Sequence, residues 1–220
     1  EPVVVIVAES VEQGRDAADL VEIDYEELPA VVDIEAAQEQ GSALVWDGIR
    51  QNVGVRYSRA RGETDKAFAD AAYTIKQRIR SQRVMPTPME GRVTAAAPDP
   101  LTNGLTVWVS NQAPHWARRT IATQLGINES SVRVIAPEVG GGFGAKIPVY
   151  REDLATAAIA NKLRRPVKWT ETRSENFAAM SHGRCQLAEI ELAADADGTI
   201  TGLRLDVTGD AGAYPAGLDM

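Results

Sequence analysis

Seven residues constrain this chain more than any others: Gly140-Gly141-Gly142-Phe143-Gly144-Ala145-Lys146. They follow an apolar run, Val132 to Ala136, and precede a helix-like segment, Arg151 to Leu163. Three successive glycines put no Cβ in the way and tolerate positive φ, so the backbone can approach another group closely. The Phe among them argues against a flexible linker. The turn reads as a backbone cradle for a ligand bearing oxygens, or as a tight turn that packs a helix on a sheet. A P-loop needs Ser or Thr after its Lys, and Lys146 is followed by Ile147. Gly140-x-Gly142-x-x-Ala145 formally fits a dinucleotide fingerprint, with Glu171 ending the next strand. Against it, Pro137 and Glu138 separate strand from turn, Pro148 interrupts the approach to the helix, and Glu171 lies beyond the usual offset of about 20 residues.

The 220 residues suffice for one large domain or two small ones. A net charge of −8 argues against a general nucleic-acid or anionic-membrane surface. Arg78, Arg80 and Arg83, and Arg164, Arg165 and Lys168, read as solvated faces within acidic or mixed neighbourhoods. A single cysteine, Cys185, leaves no internal disulfide framework and fits a reducing, cytoplasmic compartment. No apolar run is long enough to span a bilayer and no signal peptide is visible. The way the chain opens and closes suggests a piece of a longer polypeptide.

Patterning predicts a mixed α+β chain. Val3 to Ala8 reads as a buried strand, and Val21, Ile23 and Tyr25 alternate with acidic residues as a half-buried one. A helix lies between them, capped by Ser10. Ile34 to Ser58 reads as a connection holding a short helix. Beyond it, Asp65 to Ala72, His115 to Leu125 (stopped by Gly126) and Asp153 to Ala160 are helix formers. Tyr73 to Ile79, Thr106 to Val109, Val132 to Ala136 and Val167 to Thr170 read as strands. Leu187 to Leu192 and Ile200 to Val207 form a hairpin around Asp197-Gly198.

Four stretches then bear on function together. They are Val3 to Ser10 continuing through Val21 to Val31; Trp108-Val109-Ser110-Asn111-Gln112-Ala113-Pro114-His115; Arg133 to Lys146; and Arg165 to Phe177, closing with His182-Gly183-Arg184. In this order and spacing they resemble the molybdenum-binding large subunit of the xanthine oxidase and aldehyde oxidase family. The aerobic carbon monoxide dehydrogenase type is nearest in flavour. The resemblance implies that residues 1–57 are the end of an α/β hammerhead domain plus linker. Residues 58–220 would be the first part of the molybdopterin-binding domain, with mixed sheets and hairpins.

The resemblance further implies a molybdopterin cofactor with Mo, in bacterial members usually the cytosine dinucleotide form, with no side chain on the metal. Gln112 would donate to an oxo ligand of the molybdenum, and the backbone of Gly141, Gly142, Phe143 and Gly144 would cradle the cofactor, with Phe143 excluding water. The implied reaction oxidises a small molecule (aldehyde, heterocycle or carbon monoxide) with oxygen drawn from water. Electrons would leave to an Fe-S small subunit and an FAD medium subunit in a dimer of heterotrimers, because one cysteine cannot ligate a cluster. The family's general base and substrate loop would lie beyond Met220, so no catalytic residue is assigned. Ile147 stands where purine-oxidising members tend to carry glutamate, which argues against a purine site.

Glu90 matches a carboxylate near the family's substrate funnel, with a structural salt bridge the main alternative. His115 reads as a helix-start residue, and Cys185 as a small buried or edge residue. Trp46, Trp108, Trp116 and Trp169 read as core or interface aromatics. Two alternatives stay open: a noncatalytic remnant or assembly module, and a nicotinamide dinucleotide-binding domain.

Overall fold

The computed structural model describes residues 2–214. In chain order the elements are α1 (Val11–Ala18), α2 (Thr64–Asp70), β1 (Tyr73–Val84), β2 (Val93–Pro98), β3 (Leu105–Val109), α3 (Pro114–Leu125), β4 (Val132–Ile135), α4 (Arg151–Leu163), β5 (Val167–Thr170), α5 (Arg173–Ala179), β6 (Gly183–Ala194) and β7 (Ile200–Gly209). Short 3-10 turns at Ala36–Gln38 and Arg50–Asn52 occupy the connection before α2. The chain divides into two interleaved units, one from Glu1–Leu28 and Thr87–Met180, the other from Pro29–Pro86 and Ser181–Met220, as far as these are described.

In the first unit four strands run in the order β4-β3-β2-β5. Only β3 and β4 pair in parallel; β2 is antiparallel to both of its neighbours. Along β3 the period of two turns Leu105, Val107 and Val109 inward, while Trp108 is left largely exposed. Those residues, with Ala96, form the core with Ile121 and Ala122 of α3 and Ala157 and Ala160 of α4. Small side chains on both β2 and α4 let helix and sheet approach closely. Gly126, at φ 64, closes α3 as the left-handed residue expected there.

In the second unit β1, β6 and β7 form an antiparallel sheet in the order β1-β6-β7. Gly198, at φ 89, makes the β6–β7 turn. The register places Ile75, Leu192 and Leu203 side by side, and likewise Ile79, Ala188 and Val207. The opposite face carries Lys76, Glu191 and Arg204 in one row. Helix α2 packs on that face through Phe68, whose ring would sit 3.0 Å from a Cβ at Gly202 and lies under the Arg204 guanidinium. Arg78, Arg80 and Arg83 are exposed and pair with Glu35 and Glu189, with Asp33, and with Asp210, as the solvated-face reading requires.

Two expectations are corrected. Val3 to Ala8 and Val21 to Tyr25 form no strands, and Val3 to Val7, Ile23 and Tyr25 are exposed. A strand exists through its ladder, and neither run finds a ladder partner among the described residues. The helix between them does form, with Ser10 Oγ accepting from the Gln13 N–H at 3.3 Å. Two elements went unread, β2 and α5. Of the core-or-interface reading of the tryptophans, the core half fails for Trp46, Trp108 and Trp116, which are exposed.

Candidate functional site

The glycine turn follows β4 and is seated on Glu90 and Gln112, all within the first unit. The Gly140 N–H donates to Glu90 Oε2 at 2.8 Å, and the Glu90 N–H returns a bond to the Gly140 carbonyl at 3.1 Å. Ser110 Oγ donates to the same carboxylate oxygen at 2.7 Å. Lys146 Nζ donates to it at 2.9 Å and to the Glu90 carbonyl at 2.8 Å. The Lys146 side chain has 0% exposure. Burial pushes the Glu90 carboxyl up, but the Lys146, Ser110 and Gly140 donors outweigh burial and hold it below the ordinary glutamate range.

Gln112 is fixed from the other side. Its N–H donates to the Lys146 carbonyl at 2.9 Å. Its Oε1 accepts from the Gly144 N–H at 3.1 Å and the Lys146 N–H at 3.2 Å. Two backbone donors on one oxygen settle which end of the carboxamide is which, so Nε2 is the outward end. Nε2 makes no hydrogen bond to a described residue, and Gln112 is exposed. Asn111, just before it, is buried and holds the chain beyond the turn, donating through Nδ2 to the Ile147 and Pro148 carbonyls at 3.2 Å each.

The glycines are there for contact. A Cβ on Gly142 would lie 2.4 Å from both Cδ and Oε1 of Gln112, and one on Gly140 would lie 2.6 Å from Glu90 Cβ. Gly142 is buried, yet its N–H and that of Phe143 find no acceptor among the described residues. Buried backbone donors are rarely left unpaired, so the Gly142 N–H is placed to meet a ligand, and the Phe143 N–H beside it is open to one. Phe143 takes φ 53, a left-handed conformation that an aromatic residue adopts only when its surroundings impose it. Its side chain is exposed beside this pair of donors.

A second buried ion pair braces the segment carrying Glu90. Arg92 is 2% exposed; its Nε donates to Glu171 Oε1 at 2.8 Å and its N–H to Glu171 Oε2 at 2.8 Å. Nη1 reaches Glu152 Oε2 at 3.1 Å, and the guanidinium lies 3.9 Å from the Tyr150 ring centroid. Asn176 Nδ2 donates to Glu171 Oε2 at 2.7 Å. Burial raises the Glu171 carboxyl, but the bonds from Arg92 and Asn176 win and hold it low. Glu171 is therefore consumed in a structural pair and cannot serve as a ribose-binding acid. The dinucleotide fingerprint fails further because α4 does not begin until Arg151, well past the glycines, and the sheet is mostly antiparallel.

The structure thus brings Gln112 together with Gly142 and Gly144, with Phe143 between those two, while Gly141 lies against Pro88 and Phe143 and its N–H goes to the Val139 carbonyl. It resolves Glu90 into the salt-bridge alternative. His115 is exposed near the start of α3. Sequence reasoning missed Ser110, Arg92 and the Lys146 side chain. A lysine inside an otherwise small and apolar turn was the available signal for the last.

The family model for the molybdopterin cofactor-binding domain matches residues 46–219, and the chain belongs to that family. It is 40% identical over 215 residues to the nicotine 6-hydroxylase large subunit of Paenarthrobacter nicotinovorans, covering 97% of this chain and 26% of that protein. It is 35% identical over 232 residues to the carbon monoxide dehydrogenase large chain of Hydrogenophaga pseudoflava, covering 100% of this chain and 29% of that one. Among solved structures, quinoline 2-oxidoreductase from Pseudomonas putida 86 superposes with a TM-score of 0.86 at 40% identity, over 94% of this chain and 26% of that chain. The chain therefore spans about a quarter of the length of these relatives. Two free N–H donors, an outward carboxamide NH2 and the missing Cβ atoms above them fit a cofactor rich in oxygen acceptors. No helix among the described residues is long and apolar enough to cross a membrane.

Proposed function

We propose that this chain is the part of a molybdenum hydroxylase large subunit that grips the metal end of its cofactor. The supporting observation is the Gln112 carboxamide, whose oxygen is tied down by Gly144 and Lys146 so that its NH2 is left to donate. When bound, the molybdopterin cofactor supplies two-electron oxidation of a small organic molecule or carbon monoxide with oxygen from water. Gln112 then donates a hydrogen bond to the cofactor's metal end. Gly142 and Phe143 would offer their N–H groups to the cofactor, and the Phe143 ring would limit water at the metal. Gly141 and Gly144, whose own N–H groups go to the Val139 carbonyl and Gln112 Oε1, would let it approach with no Cβ in the way.

The relatives' names, one a large subunit and one a large chain, support partners of smaller size. Our reading assigns an Fe-S small subunit and an FAD medium subunit, in a dimer of heterotrimers in the cytoplasm, and the cytosine dinucleotide form of the cofactor. It also assigns residues 1–57 to the hammerhead domain with its linker and 58–220 to the cofactor domain. The test is the molybdenum content of the native polypeptide, purified with whatever subunits accompany it. About one metal per polypeptide carries the reading, and a ratio near zero from molybdate-supplied cells overturns it. Gln112→Ala in that protein should lower turnover per molybdenum about 100-fold, the cost of losing one aligned donor at a reacting centre. Unchanged turnover removes Gln112 from its role.

A further inference from the structure

The Lys146 side chain is fully buried, and space-filling does not explain why an ammonium group should be there, since a Met or Leu of similar volume costs no desolvation. Its bonds suggest the reason. Through Nζ it grips Glu90, which holds the N–H of Gly140, the first residue of the turn. Through its own backbone it grips Gln112 twice, giving its N–H to Oε1 and taking the Gln112 N–H on its carbonyl. One residue thus ties the entry of the turn to the carboxamide on its other side. Gly142 sits between these ties with no room for a Cβ, so a small shift of the turn moves the Gln112 amide with it.

We propose that Lys146 is a positioning residue: its buried ammonium, seated on Glu90, sets the glycine turn against Gln112 and so fixes where the Gln112 Nε2 donor points. The catalytic consequence rests on the cofactor reading above; the geometric claim does not. Removing the ammonium lets the turn lift from Glu90. Gln112 Oε1 then loses its two backbone donors, and the amide becomes free to rotate.

The test uses the full-length protein with its native partners, in three variants: Lys146→Met, Gln112→Ala and the two combined. Lys146→Met should lower kcat per bound molybdenum about tenfold with KM within about twofold, the signature of a misaimed group rather than of lost substrate binding. In the Gln112→Ala background the same substitution should change kcat less than about twofold, because residues acting through one group are not additive. Independent multiplication of the two effects, or wild-type turnover in Lys146→Met, overturns the proposal. If Lys146→Met fails to accumulate, Glu90→Gln keeps the shape and weakens the seat. It should give the same non-additivity at about threefold.

Amide exchange over residues 140–147 decides the geometry without the metal. In protein stripped of cofactor, Lys146→Met should speed exchange at Gly144 and Lys146 about tenfold or more while β3 stays protected. Unchanged protection there sinks the proposal. A wild-type protein that holds no molybdenum would sink the cofactor reading instead and leave the exchange result standing.

Discussion

The two units spend their charges differently. In the first, Arg92, Glu171 and Lys146 are buried and Glu90 is partly so, and each cation donates to backbone or to further side chains as well as to its partner. In the second, Lys76, Arg78, Arg80 and Arg204 pair with acids across an exposed sheet face. Water can replace any partner on that face, so those pairs add little. No water replaces the Arg92 guanidinium if it is removed, because the Glu171 carboxylate is shut off from solvent and keeps only the neutral donors of the residue-92 N–H and Asn176. Buried pairs gain little net stability over apolar packing, but they are costly to break and strongly directional. Directionality is what a cradle needs and an outer sheet face does not.

The comparison is broken most directly at Arg92. Arg92→Ala strands the Glu171 carboxylate and removes the cation stacked on Tyr150, and should lower the local opening free energy of β2 and β5 by about 3–5 kcal/mol, read by native-state amide exchange. A loss below about 1 kcal/mol would make this pair no different from a surface one.

Acid sharpens the same contrast with a smaller effect. Glu90 and Glu171 are held below their ordinary value, so the stability they contribute is complete above about pH 4.3 and is lost as pH falls through their lower folded values. Asp153 runs the other way. It is buried against the Thr94 hydroxyl, burial raises its carboxyl, and its ionisation costs stability as pH rises through the window above its unfolded value. Of the two lowered groups, Glu90 holds the turn directly through the Gly140 N–H, and Glu171 holds Arg92 two residues further on. Exchange over residues 140–147, corrected for intrinsic chemistry, should therefore accelerate below about pH 4.3. Glu90→Gln should abolish most of that acid response. An acid response that persists in this variant assigns it to another group.

The smallest effect is expected at Arg78. Arg78→Ala removes two exposed ion pairs, to Glu35 and Glu189, and should move stability within about 0.5 kcal/mol. A larger loss would show the ion pairs of the second unit to be as tightly built as those of the first.

Much of the α+β pattern was legible, and the reasons differ by element. α3 has Pro114 at its first position and Gly126 past its last, and β7 alternates, so local chemistry marks both. α5 was also legible in principle: Thr172 and Glu175 form a capping box, with Thr172 Oγ1 accepting from the Glu175 N–H at 3.2 Å. β2 was not legible. Val-Thr-Ala-Ala-Ala-Pro has weak strand propensity, and it is a central strand because β3 and β5 pair with it on both sides. Val3 to Ala8 is the converse, with strong propensity and no ladder.

At the site, the glycines announced themselves as close-approach residues, whereas Gln112 was marked as a donor only by the resemblance. The resemblance of the surrounding motifs pointed to molybdopterin, and the family match bears that out. The amide's orientation did not follow from its residue type, since it depends on which backbone N–H groups lie beside Oε1. Nor did the role of Glu90, whose partners lie 20 and 56 positions away at Ser110 and Lys146.

By itself, the sequence determined where the chain must turn, which faces alternate, and that one turn had no Cβ between itself and a neighbour. Those are local properties, set by steric and hydrogen-bonding preferences within a few residues. The tertiary structure alone decided that β2 is a strand, that Glu171 is consumed by Arg92, and that the Gln112 NH2 faces outward. Each of these depends on which distant group lies within three ångströms or so, and hydrogen-bond direction is set by that meeting, not by residue type.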